Sequence, residues 1–276
     1  MDLPKVAILM AIYKPNIKWL KQQLVSLNEQ TYSNLELIIW NDFPDDKNNY
    51  DKLLSRCIKK MVHKVYNAEI NLGPAKAFEK LTKITEGRED IKYLAYCDQD
   101  DIWLPGKISV LVEHAEKENL DLVCSDISII DKNGKSISKC HFEELPHHKS
   151  FFESMKNRNI LNNNDVFAFL LHGTFIYGCA MMVKRESAIL AIPFSKFEGH
   201  DFWLGLYFAC TDKRIKYLRM ISLVKRRIYG GNYTLTRFDS NDDSEQNRKF
   251  YENRYKFLLD VKKDMLKILK SEENKK

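Results

Sequence analysis

The first half of the chain alternates apolar runs with segments of helical spacing. Val6 to Ile12 is continuously apolar, the pattern of a strand buried on both faces of a parallel sheet. Leu35 to Trp40, Val62 to Tyr66, Tyr93 to Cys97 and Leu120 to Ser125 read as further strands. Asn16 suits the N-cap of a helix running to about Gln30, with Ile17, Leu20, Leu24 and Leu27 on one side. Residues 48–60 read as a second helix. Asn71-Leu72-Gly73-Pro74 is a turn whose proline starts a third over 75–85, and Pro105 starts a fourth to about Glu118. Strand and helix alternate four times, which predicts an α/β fold: a mostly parallel sheet with helices on both faces.

Beyond Asp126 the pattern changes. Ile127 to Ile130 followed by Asp131-Lys132-Asn133-Gly134 predicts a hairpin, and residues 140–170 are polar and irregular. Phe175 to Val183 predicts a strand, Arg185 to Leu190 a short helix, and Ile215 to Leu223 one or two short strands. Phe202 to Ala209 is an apolar segment that follows Gly199-His200-Asp201. The longest helical pattern covers 243–270, with Phe250, Phe257, Val261, Met265 and Leu269 in phase. These breaks predict one large unit over 1–240, divided near 126, and a helical extension over 241–276.

Composition changes this picture little. The 276 residues are 44% hydrophobic and 30% charged, enough for a sizeable core. The net charge of +6 fits an anionic ligand or an anionic membrane surface, but it is spread along the chain without a basic-aromatic module, so no nucleic-acid partner is expected. No run of eighteen apolar residues and no basic-then-apolar leader pattern is present, so neither a transmembrane helix nor a signal peptide is expected. Six cysteines without a Cys-x-x-Cys pair read as buried thiols in a reducing cytoplasm. Cys140-His141 and His147-His148 lack the spacing of a zinc site.

Ligands of parallel sheets bind at the carboxyl ends of the strands. Here those ends carry Ala11 and Tyr13, then Asn41 and Asp42, then Asn67 to Gly73, then Asp98 to Asp101. Strand alternation places Asp98 and Asp100 on one face and Asp101 on the other. Carboxylates converging there repel one another unless a divalent cation lies between them and a polyphosphate. The alternative is a solvated turn capped by aspartate.

Cys97 to Lys107 (CDQDDIWLPGK), the Asn41-Asp42 pair, the Asn71-x-Gly73-Pro74-x-Lys76-Ala77 turn and Gly199 to Leu204 (GHDFWL) together resemble the family 2 glycosyltransferases of the GT-A fold. The first and last of these stretches, Cys97 to Lys107 and Gly199 to Leu204, are similar to the bacterial rhamnosyltransferase-like branch. The resemblance covers roughly residues 5–235. It implies a GT-A, Rossmann-like fold with a nucleotide-sugar-binding half over 1–126 and an acceptor-binding half over 127–240. It implies an inverting transfer from a dTDP- or UDP-sugar, dTDP-L-rhamnose among them, to a glycan or a polyprenyl-diphosphate-linked saccharide in bacterial surface polysaccharide synthesis. A UDP-hexose or N-acetylhexosamine enzyme, or a nucleotide-binding protein without turnover, shares the motifs.

The same resemblance assigns roles. Asp201 is the base for the acceptor hydroxyl. Asp100 binds Mn²⁺ or Mg²⁺; Asp98 holds a ribose hydroxyl or a metal-bound water; His200 is a third ligand or orients Asp201. Asp42 reads the pyrimidine imide, with Ala11 and Tyr13 flanking the base. Asn71, Gly73, Lys76 and Gln99 complete the donor side, and Arg227 contacts the diphosphate. The turn after Asp42 (Phe43-Pro44-Asp45-Asp46) departs from the family's Asp-Asp-Gly-Ser, and Tyr229 stands where the family often has His. Each position also has a plain structural reading: Asp42 in an Asx turn, Lys76 in solvent, Gly199-His200-Asp201 as a helix cap. The last helix suits either peripheral contact with the inner face of a cell membrane or packing on the protein.

Overall fold

The computed structural model describes residues 3–46, 50–145, 161–172, 174–195, 199–211 and 213–230, with single positions at 153, 256, 259 and 263. The helical pattern over 243–270, apart from the single positions 256, 259 and 263, and the His147-His148 pair lie outside the described residues. Strands β1 (Lys5–Ile12), β2 (Leu35–Asn41), β3 (Val62–Asn67) and β4 (Ile91–Cys97) run parallel, with β1 between β2 and β4. Met10 thus lies beside Ile39 on one side and Cys97 on the other. Val6 to Met10 are wholly buried, as an uninterrupted apolar strand requires.

Helices α1 (Ile17–Asn28), α2 (Asp51–Cys57), α3 (Pro74–Ile84) and α4 (Lys107–Glu118) fill the intervals. Asn16 caps α1 by accepting the N–H groups of Lys18 and Trp19 at 3.0 and 3.3 Å. Gly73 precedes α3 at φ +77°, a conformation that a residue with a Cβ resists, and Pro74 opens the helix.

The second half differs from expectation in three places. Strand β6 (Leu122–Ile130) is one nine-residue strand that joins the predicted fifth strand to the first arm of the hairpin; β7 (Ser136–Ser138) is the second arm. Of the predicted 175–183 strand only residues 181–183 pair in the sheet, as part of β8 (Met181–Lys184), which follows a 3₁₀ turn at Gly178–Ala180. Phe175 and Ile176 ahead of that turn are buried in irregular backbone, so their apolarity reflects core packing rather than pairing. Strand β9 (Ile215–Arg227) is continuous over thirteen residues, and its register against β6 skips between Leu218 and Ser222, where Met220 takes φ +57°. The two-residue β5 (Ile102–Trp103) pairs with the far edge of β9.

The sheet order is β3-β2-β1-β4-β8-β6-β9-β5, with β7 beside β6. Strand β8 lies antiparallel between β4 and β6, and β9 is parallel to β6, so β1–β4, β6 and β9 share one direction. The order reverses between β1 and β4, so the loops that leave those strands diverge and open a crevice at their carboxyl ends. Helices α5 (His141–Glu144), α6 (Asn163–His172), α7 (Arg185–Leu190) and α8 (His200–Cys210) complete the described elements. Phe202 through Ala209 of α8 are all buried, and α8 packs beside α6 and α3. Among the described residues no helix is long and apolar enough to cross a membrane. All six cysteines are free.

Candidate active site

The crevice between β1 and β4 is closed at its base by Gln99. Its side-chain carbonyl accepts the Tyr13 N–H at 2.8 Å, and its amide donates to the Tyr13 carbonyl at 3.1 Å. This two-point clasp fixes the end of β1 against the acidic turn after β4. Tyr13 is exposed and meets Phe43 edge-on at 5.7 Å; the Lys14 ammonium lies about 5 Å from both rings. Tyr13 and Phe43 therefore make an aromatic ledge where a planar base can lie. Ala11 pairs with Trp40 below it.

Asp42 serves that ledge from inside. It is buried, and its carboxylate accepts the Trp40 indole N–H (3.0 Å), the Asn71 amide (3.2 Å) and the backbone N–H groups of Leu72 (3.0 Å) and Gly73 (2.8 Å). Asn71 donates also to the Asp42 carbonyl at 2.9 Å. These donors occupy the lone pairs on which an imide N–H would depend. Asp42, Asn71 and Gly73 thus form one unit that folds the 71–73 turn against β2, rather than a carboxylate reserved for the base.

The acidic turn itself is not strand. β4 ends at Cys97, and residues 98–100 bend, so alternation does not govern their side chains. Asp98, Asp101 and Cys179 place ligand atoms within 4.8 Å of one another, which reverses the expected separation of Asp98 from Asp101. Asp101 is buried; its Oδ1 accepts the Arg227 N–H at 2.9 Å, while its Oδ2 meets no N–H or O–H donor among the described residues. Asp100 accepts the Tyr229 hydroxyl at 2.6 Å. Tyr229, placed where a third metal ligand was in question, is held by Trp19 at 4.7 Å and grips the carboxylate of Asp100 instead.

Burial pushes the Asp98 carboxyl well up, reinforced by Asp101, Asp100 and Asp201; Arg226 opposes the rise. Burial also raises Asp100, and raises Asp101 to about 6 with help from Asp100. Carboxylates crowded in this way are the hard oxygen donors that fit Mn²⁺ or Mg²⁺, which would relieve their mutual repulsion. Beneath them Lys107 is fully buried, its ammonium donating to the Cys179 carbonyl at 2.5 Å and lying 3.2 Å over the Trp103 ring. Burial lowers its pKa to about 7.

The residues expected on the acceptor side arrive on two elements. Asp201 stands in the first turn of α8; its Oδ2 accepts the Gly178 N–H at 3.0 Å and its Oδ1 the Phe202 N–H at 2.8 Å. Each oxygen keeps a second lone pair for a hydroxyl. Gly178, which holds Asp201, is followed by Cys179, whose sulfur lies within 4.8 Å of ligand atoms of Asp98 and Asp101, so the 178–179 turn links the carboxylate of α8 to the acidic turn after β4. Arg226 on β9 lies 4.7 Å over the Tyr177 ring; burial works against its charge, and Tyr177, Cys179, Asp101 and Asp98 together outweigh it.

Three expected site residues point elsewhere. Arg227 is buried on the other face of β9. Its guanidinium donates to the Asp100, Asp131 and Lys132 carbonyls and to Gln22 Oε1 at 2.8–3.4 Å, so it cages the acidic loop and has no fork left for a diphosphate. Lys76 donates to Glu79 and to the Phe194 carbonyl, both at 2.7 Å, and pins the 194 loop to α3. His200 is buried between Phe78 and Tyr96, with ring centroids at 3.9 and 4.8 Å, away from the Asp98–Asp101 turn as a metal ligand. Sequence reasoning missed Arg226, Phe43 and Lys107; the Asp-x-Trp-x-Pro-x-Lys spacing contained Lys107 without revealing its burial.

The profile of glycosyl transferase family 2 matches residues 7–189. An uncharacterized glycosyltransferase of Methanocaldococcus jannaschii is 31% identical over 160 residues, 55% of this chain and 53% of that protein. The chain therefore spans about half the length of that relative. WfgD of Escherichia coli, a UDP-Glc:α-D-GlcNAc-diphosphoundecaprenol β-1,3-glucosyltransferase, is 24% identical over 211 residues, 75% of this chain and 71% of WfgD. Among solved structures, TarS 1–349 of S. aureus in complex with UDP-GlcNAc superposes with a TM-score of 0.62 at 14% identity, over 91% of this chain and 72% of that one. At that identity the likeness establishes the shared fold.

Proposed function

The chain belongs to glycosyl transferase family 2, and from that premise we propose that it is an inverting, metal-dependent transferase moving a hexosyl group from a UDP-sugar to a glycan hydroxyl. The observation that carries this reading is the 177–179 turn, which brings the pieces together: Arg226 lies over the Tyr177 ring, the Gly178 N–H meets Asp201 Oδ2 at 3.0 Å, and the Cys179 sulfur lies within 4.8 Å of ligand atoms of Asp98 and Asp101. Asp201 takes the proton of the acceptor hydroxyl as its oxygen attacks the anomeric carbon. The bond from that carbon to the diphosphate breaks as the new one forms, and the nucleoside diphosphate leaves. Arg226, not Arg227, faces the acids and stabilises charge developing on the leaving phosphate.

Asp100 and Asp98 would hold Mn²⁺ or Mg²⁺, which when bound supplies Lewis-acid neutralisation of the diphosphate. The Tyr13–Phe43 ledge receives the base, Gln99 sets its height, and the Asp42 unit with Asn71 and Gly73 shapes the turn beside the ribose. WfgD, with its UDP-glucose donor and polyprenyl-diphosphate acceptor, favours a UDP-hexose and a lipid-linked saccharide of a surface polysaccharide over dTDP-rhamnose.

A thermal-shift panel of UDP-glucose, UDP-galactose, UDP-GlcNAc, UDP-GalNAc, dTDP-L-rhamnose and GDP-mannose, each with Mn²⁺, tests the donor. Stabilisation by a UDP-sugar that disappears with EDTA is the expected result. Stabilisation by GDP-mannose alone contradicts the pyrimidine reading, and by dTDP-L-rhamnose alone the hexose reading.

A further inference from the structure

His200 is a large polar side chain with no place in the reaction described above, and its surroundings are specific. Its imidazole lies between Phe78 of α3 and Tyr96 of β4, and its Nε2 is buried without a hydrogen-bond partner among the described residues. The ring presses onto Gly178. A Cβ built at Gly178 would stand 2.4 Å from His200 Nε2 and 2.6 Å from Cε1, distances that real Cβ contacts do not reach. The same Gly178 donates its N–H to Asp201 Oδ2 at 3.0 Å. A residue without a side chain thus touches both consecutive residues of the first turn of α8: the ring of one and the carboxylate of the next.

We infer that Gly178 and His200 are a positioning pair for Asp201, which sets the acceptor-side carboxylate against the donor half of the molecule. The inference rests on the reading of Asp201 as the base. His200 plugs the start of α8 into the aromatic slot formed by α3 and β4, elements of the nucleotide half. Gly178 allows the plug to seat, and its N–H then holds Oδ2 and leaves the other lone pairs toward the crevice. Any side chain at position 178 lifts the imidazole out of the slot or pushes the 3₁₀ turn away from α8. Either movement breaks the Gly178–Asp201 bond, and a displacement of about 1 Å at a reacting group is enough to cost about a hundredfold in rate.

The coupling has a signature that mere packing lacks. If position 178 must be glycine because of the imidazole, removing the imidazole removes the requirement. The test compares wild type with Gly178→Ala, His200→Ala and the double variant. It measures UDP release from whichever panel UDP-sugar wild type turns over fastest, with water as acceptor, and UDP affinity by calorimetry with Mn²⁺. Gly178→Ala is expected to lower kcat at least thirtyfold with UDP affinity within twofold. The double variant is expected to match His200→Ala rather than to multiply the two losses. Gly205→Ala, on the same helix but against the flexible tip of Ile176, controls for packing and is expected to keep kcat.

Should Gly178→Ala fail to fold while the double variant folds, the steric coupling is upheld. Wild-type kcat in Gly178→Ala, independent losses in the double variant, or equal loss of UDP affinity and kcat overturns it. Asp201→Asn separates the two claims. Retained turnover there removes the base assignment, whereas lost turnover beside an active Gly178→Ala removes only the positioning pair.

Discussion

Acidification should weaken the fold through His200 by an amount the structure sets. Burial lowers its pKa to about 4 from an ordinary 6.5, and the nearby Asp201 offsets only part of this. A histidine with a depressed folded pKa binds its proton more readily when unfolded. Its contribution is therefore fully present above pH 6.5 and is lost as pH falls toward 4. At 1.36 kcal/mol per unit, weighted by the protonated fractions at pH 5, the loss between pH 8 and pH 5 is about 2 kcal/mol.

Asp98, Asp100, Asp101 and Lys107 also carry shifted pKa values, so one profile does not isolate the imidazole. The informative quantity is the difference between wild type and His200→Leu in urea-unfolding free energy, measured from pH 8 to pH 5. The variant is expected to be the less stable at pH 8 and to recover about 2 kcal/mol relative to wild type by pH 5. A difference constant within about 0.5 kcal/mol across that range would refute the buried, neutral placement between Phe78 and Tyr96.

Other outcomes follow from neighbouring contacts. Arg227→Met leaves three carbonyls and Gln22 without their donor and should cost about 3 kcal/mol in urea unfolding. Arg226→Met should instead lower UDP-sugar turnover at least tenfold, and the reverse ranking of the two variants on turnover would reinstate Arg227. Gln99→Ala removes both ties to the Tyr13 backbone and should weaken UDP binding by about 1 kcal/mol in calorimetry, roughly fivefold; unchanged affinity would detach the Tyr13 ledge from the base.

The first half of the chain was largely legible because its signals are local. A strand buried on both faces must be apolar throughout, a helix start needs Asn16 or Pro74, and acids at a strand end advertise their chemistry. Less was legible where one residue's role depends on parity or on distant contacts. Arg226 and Arg227 are adjacent, and only the register of β9, broken at Met220, decides which faces the acids. His200 and Asp201 are separated by one step of about 100° around a helix, so one enters the aromatic slot and the other the crevice. Asp42 looked available because most of the donors that occupy it come from the 71–73 turn, about thirty residues away. The Phe175–Val183 run mixed two kinds of burial, core packing ahead of Gly178 and strand pairing after Ala180, which apolarity alone does not separate.

In the proposed mechanism one carboxylate of α8 completes a reaction centre begun by the turn after β4. Asp201→Asn tests it most directly, because the amide keeps the shape and an oxygen for the Gly178 N–H but cannot take a proton at neutral pH. UDP-sugar turnover in Mn²⁺ is expected to fall by about a thousandfold while calorimetric UDP affinity stays within twofold of wild type. Turnover within tenfold of wild type, with UDP bound as before, would contradict it.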